Sequence, residues 1–337
     1  RMCYTGSMKC AKCLILLTAV ACVLSGCRKS DAQFSQTYYG AFDTVVTLTA
    51  YAPDRAAFDR IASDFSDRLF ALHAAFDRYQ PHPGVNGLYA LNAAGGQWVE
   101  VEPQLYDLLL KCREWRALGG ERVNPALGNL FELWHRFRDA GEGVPSPEAL
   151  EAAAGHSDFS ALELEGGRAR LSDPEVTLDL GAVAKGYAAG LLGELVSGTT
   201  DCYLIDAGGN VVAGRKPGGA WRVGVRNPDG GDVLAVLNLT DTCAVTSGDY
   251  QRYYEVDGVR YHHLIDPDTR MPGHFMRQAT VLAGDSGYAD YLSTLLFLSP
   301  PGDALALAEA LEGVEAIFVL NDGTIQRTSG VGGLVSG

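Results

Sequence analysis

Positive charge is what this chain is short of. Its 337 residues carry 27 Lys and Arg against 41 Asp and Glu, a formal charge of −14. Removing residues 1–27 takes away Arg1, Lys9 and Lys12 and leaves 24 basic against 41 acidic residues, or −17. An extended nucleic-acid surface needs clustered Lys and Arg, so that balance argues against one. An acidic protein that handles phosphates must do so locally, with a metal, helix N-termini or a few placed cations. Cysteine is scarce where it would count. Cys3, Cys10, Cys13 and Cys22 precede Cys27, and only Cys112, Cys202 and Cys243 follow it. Three scattered thiols make neither a disulfide scaffold nor a zinc site, and they read as small core residues. No G-x-G-x-x-G and no G-x-x-x-x-G-K-[ST] run occurs, which removes the dinucleotide-fold and P-loop readings. There is no internal repeat and no low-complexity segment.

With 47% hydrophobic and 20% charged residues, the chain can bury a core. Its start reads as an export signal. Met8 to Lys12 is a short basic region, and Cys13 to Leu24 is an apolar run too short to span a bilayer comfortably. Leu24-Ser25-Gly26-Cys27 resembles the lipobox of bacterial lipoproteins, in which the Cys is lipidated and becomes the first residue. Arg1 to Ser7 read as an extension ahead of Met8. The expected organisation is a signal peptide over 1–27, a polar tether over 28–36 and one domain over 37–337. The expected location is the extracytoplasmic face of the cell membrane, held by lipid on Cys27. Within the domain, Thr44 to Ala50 is β-branched and reads as a strand. Arg55 to Tyr79 and Pro103 to Leu118 have helical spacing. Residues 124–138 read as a loop entering a short helix, and 140–175 as an excursion with short strands. Val176 to Ser197 reads as a strand end running into a helix, and Asp201 to Phe275 as short strands punctuated by Gly-rich turns. Asp285 to Leu298 and Ala304 to Leu311 read as helices, and Ala316 to Leu320 as a closing strand. The fold class is α+β: mixed, with a largely antiparallel β core and flanking helices.

Three stretches carry chemistry. In Thr177 to Ala188 a carboxylate, Asp179, sits at a strand-to-helix junction, with small residues around it and Lys185 one turn inside. A helix N-terminus with a Lys favours an anion; an N-capping Asp with a surface Lys is the structural alternative. In Tyr261 to Thr269, His262 and His263 are adjacent in an extended segment and face opposite sides. One His beside hydroxyls and carboxylates suits acid–base work, although a strand His also serves packing. Asp290 and Thr294 are i and i+4 on a helix, so both oxygens face one direction. That pair suits a hard cation such as Mg²⁺, and equally a helix cap with a Thr bonded back to its own helix.

Taken in order, these stretches resemble one family. Asp179 to Gly186, the Gly208-Gly209 turn before Trp221, Thr246-Ser247-Gly248-Asp249-Tyr250, His263 to Thr269, and Asp290 to Thr294 look like the ApbE family of FAD:protein FMN transferases. Phe42-Asp43-Thr44, Asn86 to Asn92, and Val123-Asn124-Pro125 before Leu133-Trp134 extend the likeness over about residues 38–325. The resemblance implies an ApbE-like, T-fold-like architecture and a lipoprotein. It implies that Phe42, Val123, Asn124, Asp179, Lys185 and His263 bind FAD, with His263 the candidate base. It implies Mg²⁺ held by the Ala182 carbonyl and the Asp290 and Thr294 side chains. Two positions depart from the family pattern. Arg270 stands where a Gly is usual, which puts the local turn in doubt, and Asn124 stands where an Asp is common.

The implied reaction is transfer of FMN from FAD to a Thr or Ser hydroxyl of an acceptor protein, releasing AMP. Such transfer rests mostly on positioning and charge stabilisation. Water in place of the hydroxyl would make the same site an FAD pyrophosphatase giving FMN and AMP. A flavin-binding lipoprotein without turnover is the reading from another class. For the anchor, a Cys27→Ser variant is expected to lose membrane association or remain unprocessed on cell fractionation. A variant that sediments with membranes as the parent does would overturn the lipid anchor.

Overall fold

The computed structural model describes residues 31–336, so the signal peptide and Cys27 lie outside the described residues. In chain order the strands are β1 (Ala32–Ala41), β2 (Thr44–Ala52), β3 (Val99–Glu100), β4 (Leu162–Glu165), β5 (Arg168–Leu171), β6 (Tyr203–Ala207), β7 (Asn210–Ala213), β8 (Trp221–Val225), β9 (Ala235–Leu239), β10 (Thr242–Gly248), β11 (Tyr253–Val256), β12 (Val259–His262), β13 (Met276–Ala283), β14 (Glu315–Leu320), β15 (Ile325–Arg327) and β16 (Val335–Ser336). The helices are α1 (Arg55–Phe76), α2 (Leu88–Asn92), α3 (Pro103–Gly119), α4 (Gly128–Ala140), α5 (Pro147–Ala154), α6 (Ala184–Ser197), α7 (Ser286–Phe297) and α8 (Pro301–Ala310).

An eight-stranded sheet in the order β1-β2-β6-β7-β10-β13-β14-β15 forms the frame. Every neighbouring pair in it is antiparallel. Smaller sheets, β16-β9-β8, β3-β5-β4 and β11-β12, are attached to it. The helices pack mainly against one side of the frame, so the class is α+β with an antiparallel core. The cysteines Cys112, Cys202 and Cys243 are unpaired, and Cys112 and Cys243 are buried.

The tether boundary requires correction. Residues 32–36 are strand, not linker, because β1 begins at Ala32 opposite Ala52. The segment looks polar because it is the sheet's outer strand with one face in solvent. Ser35 and Thr37 meet Thr49 and Thr47 hydroxyl to hydroxyl at 3.1 and 3.2 Å. The alternate residues turn inward, where Phe34 and Tyr38 stack on Phe58 and Phe65 of α1. Helix α1 also stops sooner than its periodicity suggests. It is capped by Asp54, whose carboxylate accepts the Ala57 amide at 2.8 Å. It ends at Phe76 because the next residue turns extended, and the Asp77 carboxylate takes the Tyr79 amide at 2.7 Å. The polar 140–175 excursion holds a helix, α5, capped by Ser146 and opened by Pro147.

Helix α7 is buried almost all round, against β10 and β13 on one side and α6 on the other. The closeness of α6 depends on Gly186. A β-carbon there would stand 2.3 Å from the Ser286 carbonyl oxygen and 2.5 Å from the Asp290 Cβ. Gly186→Ala is therefore expected to destabilise by about 1–3 kcal/mol through overpacking, although Ala favours helix. Thermal unfolding checks this, and an unchanged midpoint would show that the two helices part freely.

Candidate active site

The N-terminus of α6, the start of α7, the corner after β1, the end of α1, the loop before α4 and the segment after β12 surround one cavity of about 450 Å³. Phe42, Val123, Asn124, Asp179, Ala182, Lys185, His263, Asp290 and Thr294 all line it. The structure thus brings together every FAD and metal position named from the sequence.

The metal positions have a shared logic. The Gly186 amide, which would close the first turn of α6 onto the Ala182 carbonyl, donates instead to Asp290 Oδ2 at 2.7 Å. No amide among the described residues is bonded to the Ala182 carbonyl. It is left as an open acceptor on the cavity wall. Asp290 is 4% exposed, so its charge is poorly hydrated. Burial raises its pKa; the Lys185 charge and the Gly186 amide oppose that without cancelling it. Thr294 Oγ1, one turn on, lies 3.4 Å from Ser247 Oγ. A carboxylate, a hydroxyl and a peptide carbonyl are three hard oxygens of the type Mg²⁺ takes.

Asp179 has both oxygens engaged. Oδ2 takes Arg78 at 2.9 Å and Oδ1 takes the Gly181 amide at 2.7 Å. Burial alone would raise its pKa; Arg78 and the amide outweigh burial and hold the carboxyl below its usual range. Arg78 also donates to the Gly128 carbonyl at 3.0 Å, tying the loop before α6 to α4.

The two histidines separate cleanly. His262 is buried, with Nε2 2.9 Å from the Gly273 carbonyl and Nδ1 accepting the Leu264 amide at 3.2 Å. Both its nitrogens are spent on local structure. His263 lies on the cavity wall, with Nδ1 3.3 Å from the Arg252 carbonyl. A carbonyl only accepts, so Nδ1 carries the proton and Nε2 keeps its lone pair. Burial, then the charges of Arg252, His262 and Lys185, hold His263 well below the ordinary histidine pKa.

Phe42 and Asp43 are the two residues between β1 and β2, and both have positive φ, 54° and 50°. That is the geometry of a tight hairpin turn, for which Phe is a poor residue. The turn is held from outside. The Phe42 amide donates to His73 Nδ1 at 3.3 Å, and Arg252 donates to the Asp43 carbonyl at 3.1 Å. The two family departures also find reasons. Arg270 has φ 59°, so the turn keeps the left-handed conformation that a Gly would adopt freely. Its side chain pairs with Glu151 at 2.6 Å and its carbonyl accepts Trp134 Nε1 at 2.9 Å, both away from the cavity. Asn124 donates to Glu121 at 3.0 Å and to the Ser157 carbonyl at 2.8 Å. An Asp could make neither bond, so here the amide suits the loop.

Sequence reasoning missed the cations. Arg78, Arg122, Arg136, Arg138 and Arg252 join Lys185 around the cavity. No local motif marks them: Arg78 meets Asp179 across 101 residues. His73 and Asp77 were missed as well, being read only as part of a helix.

Fold and cavity together define a class: an α+β protein whose pocket is lined by six basic and six acidic residues, with a nest of hard oxygen donors on one wall. The chain belongs to the ApbE family, whose sequence profile matches residues 42–318. It is 37% identical over 268 residues to a FAD:protein FMN transferase of Treponema pallidum, covering 73% of this chain and 74% of that protein. It is 31% identical over 303 residues to one of Rhodobacter capsulatus, covering 87% of this chain but only 57% of that protein. The crystal structure of the ApbE protein of Thermotoga maritima superposes with a TM-score of 0.83 at 28% identity, over 91% of this chain and 100% of that one.

Proposed function

We propose that this protein is an FAD:protein FMN transferase that moves FMN from FAD onto a Thr or Ser hydroxyl of an acceptor protein and releases AMP, with Mg²⁺ as cofactor. The observation that carries this reading is the convergence of the Ala182, Asp290 and Thr294 oxygens with Lys185 and His263 on one cavity. The names of the relatives support its coarser part, transfer of FMN from FAD to a protein.

Bound at Asp290, Thr294 and the Ala182 carbonyl, Mg²⁺ would neutralise pyrophosphate charge and polarise the phosphorus under attack. Lys185 and the surrounding arginines hold the remaining negative charge of FAD. The acceptor hydroxyl oxygen bonds to the FMN-side phosphorus. The bond from that phosphorus to the bridging oxygen breaks, and AMP leaves with the electron pair. The hydroxyl proton passes to His263 Nε2. The low pKa of His263 keeps that nitrogen free across neutral pH, a condition for its acting as base. Cys27 and the segment before it support a further part of the proposal, that lipid holds the enzyme at the extracytoplasmic membrane face.

The deciding experiment is the product list from FAD, Mg²⁺ and an acceptor protein. Flavinylated acceptor with AMP supports transfer. Free FMN with AMP would replace it by hydrolysis, and FAD bound without turnover would make the protein a carrier. In that assay Asp290→Asn is expected to lower Mg²⁺-dependent turnover by about 100-fold or more, while its amide oxygen still accepts the Gly186 amide and preserves the fold. Full activity at limiting Mg²⁺ would remove Asp290 from the metal site.

His263→Ala should slow transfer by about 10²-fold and weaken FAD binding less. His262→Ala should lower the unfolding temperature and spare the rate per folded molecule. The parent's rate should stay flat from neutral to alkaline pH. It should fall only at acid pH, below the ordinary histidine range, because protonation there removes the free Nε2. A loss from His262→Ala alone would mean that the wrong histidine had been assigned.

A further inference from the structure

A second group of ligating side chains lies at the end of α1, separate from Asp290 and Thr294. His73 and Asp77 are one helical turn apart, and the following loop brings His82 back over them. One ligand atom from each of the three lies within 4.8 Å of the other two. His82 Nε2 is 2.9 Å from Asp77 Oδ2, and the His73 and His82 rings meet edge to face at 5.7 Å. The loop shape does not depend on an ion. Asp77 Oδ1 takes the Tyr79 amide at 2.7 Å and the Tyr89 amide donates to the Asp77 carbonyl at 3.1 Å. Oδ2 therefore remains on the side of the histidines.

We propose that His73, Asp77 and His82 form a site for a borderline divalent transition-metal ion of the Zn²⁺ class, and that its occupation releases the Phe42 amide from His73. Two imidazoles and a carboxylate are a donor set that Mg²⁺ disfavours and Zn²⁺ or Co²⁺ favours. Bonds of about 2.0–2.2 Å in tetrahedral geometry place ligand atoms about 3.3–3.5 Å apart, so side-chain adjustments of about 1 Å suffice. His73 and Asp77 also line the large cavity, so a fourth position opens toward it for water.

The second half of the proposal follows from the two-nitrogen chemistry of imidazole. Without metal, His73 Nδ1 accepts the Phe42 amide at 3.3 Å. An ion on Nδ1 displaces that amide directly. An ion on Nε2 moves the ring proton to Nδ1, where it opposes the amide hydrogen. Either way the Phe42–Asp43 turn, left-handed at both residues, loses one of its external holds. The consequence for flavin rests on the function proposed above; the metal site itself does not.

The probe is Co²⁺, added to the purified protein in saturating Mg²⁺ and read by its visible absorption. One equivalent is expected to bind. His82→Gln should weaken that binding on the order of tenfold or more. The same variant should leave Mg²⁺-dependent transfer unchanged when Co²⁺ is absent, because His82 does not border the cavity. In the parent, Co²⁺ should also weaken FAD binding, and in His82→Gln that effect should shrink in step with Co²⁺ affinity. Absence of saturable binding tighter than about 1 mM, or equal binding by His82→Gln, overturns the site. Co²⁺ binding that leaves FAD affinity unchanged overturns the link to Phe42. A parent that binds Co²⁺ but never FAD sustains the site and defeats the flavin reading instead.

Discussion

The hydrogen bond from the Gly186 amide to the Asp290 carboxylate is the contact on which the site depends. It exists because position 186 has no side chain, so the backbone of α6 can lie against α7. It places a carboxylate inside the protein where water hardly reaches, and the Lys185 charge and the Gly186 amide offset that loss of hydration only in part. It also takes the amide that would have satisfied the Ala182 carbonyl. One diverted proton thus yields an under-compensated anion and an orphaned acceptor on the same wall. A cation placed between them would stabilise both, which is the geometric basis of the Mg²⁺ proposal.

In an acidic chain the basic side chains of the cavity act only locally. A chain with 41 acidic residues repels phosphates at long range, and at physiological ionic strength that field fades within about 8 Å. An anion held in the cavity would meet Lys185 and the five arginines there, set among six acidic side chains. Arg138 pairs with Asp139 at 3.0 Å and Arg252 with Asp43 at 3.4 Å, and Arg78 is the most buried of the paired arginines. Its charge is matched by Asp179, so it acts more as a strut between the loop before α6 and α4 than as a ligand. Asp179, a conspicuous carboxylate in the sequence, serves the site by holding Arg78 and the Gly181 amide. Any FAD contact it makes must share those partners.

The legible parts of this protein were those governed by local rules. Helix α1 from its apolar spacing, β2 from its β-branched run, and the i, i+4 pairing of Asp290 with Thr294 each depend on a few neighbouring residues. The frame strand β1 was illegible because an outer strand with one wet face looks like a polar linker. Helix α5 was illegible because its eight residues, mostly Ala and Glu, sit among loop signals. His262 and His263 could be assigned to opposite sides by backbone geometry, but only the resemblance said which side was inward. Arg78 and Arg252 could not be read at all. Their partners lie far along the chain, and an arginine's role depends on what folding brings to its guanidinium.

The positive-φ residues show where strain has been retained. Among the described residues five non-glycine residues adopt it, and three of them, Asp43, Asp241 and Asp257, are of a type that tolerates it. Arg270 and Phe42 are not. The Arg270 turn lies outside the cavity and is fixed by Trp134 and Glu151, so it persists as part of the local packing. Phe42 is different, because its turn is the rim of the cavity and its holds come from His73 and Arg252, two residues of the cavity wall. A strained non-glycine residue costs of order 1–3 kcal/mol and persists only where its surroundings over-determine it. At Phe42 those surroundings are the wall of the cavity proposed to hold FAD. The aromatic ring is thereby fixed before any ligand arrives, and the ordering cost is met in folding rather than in binding.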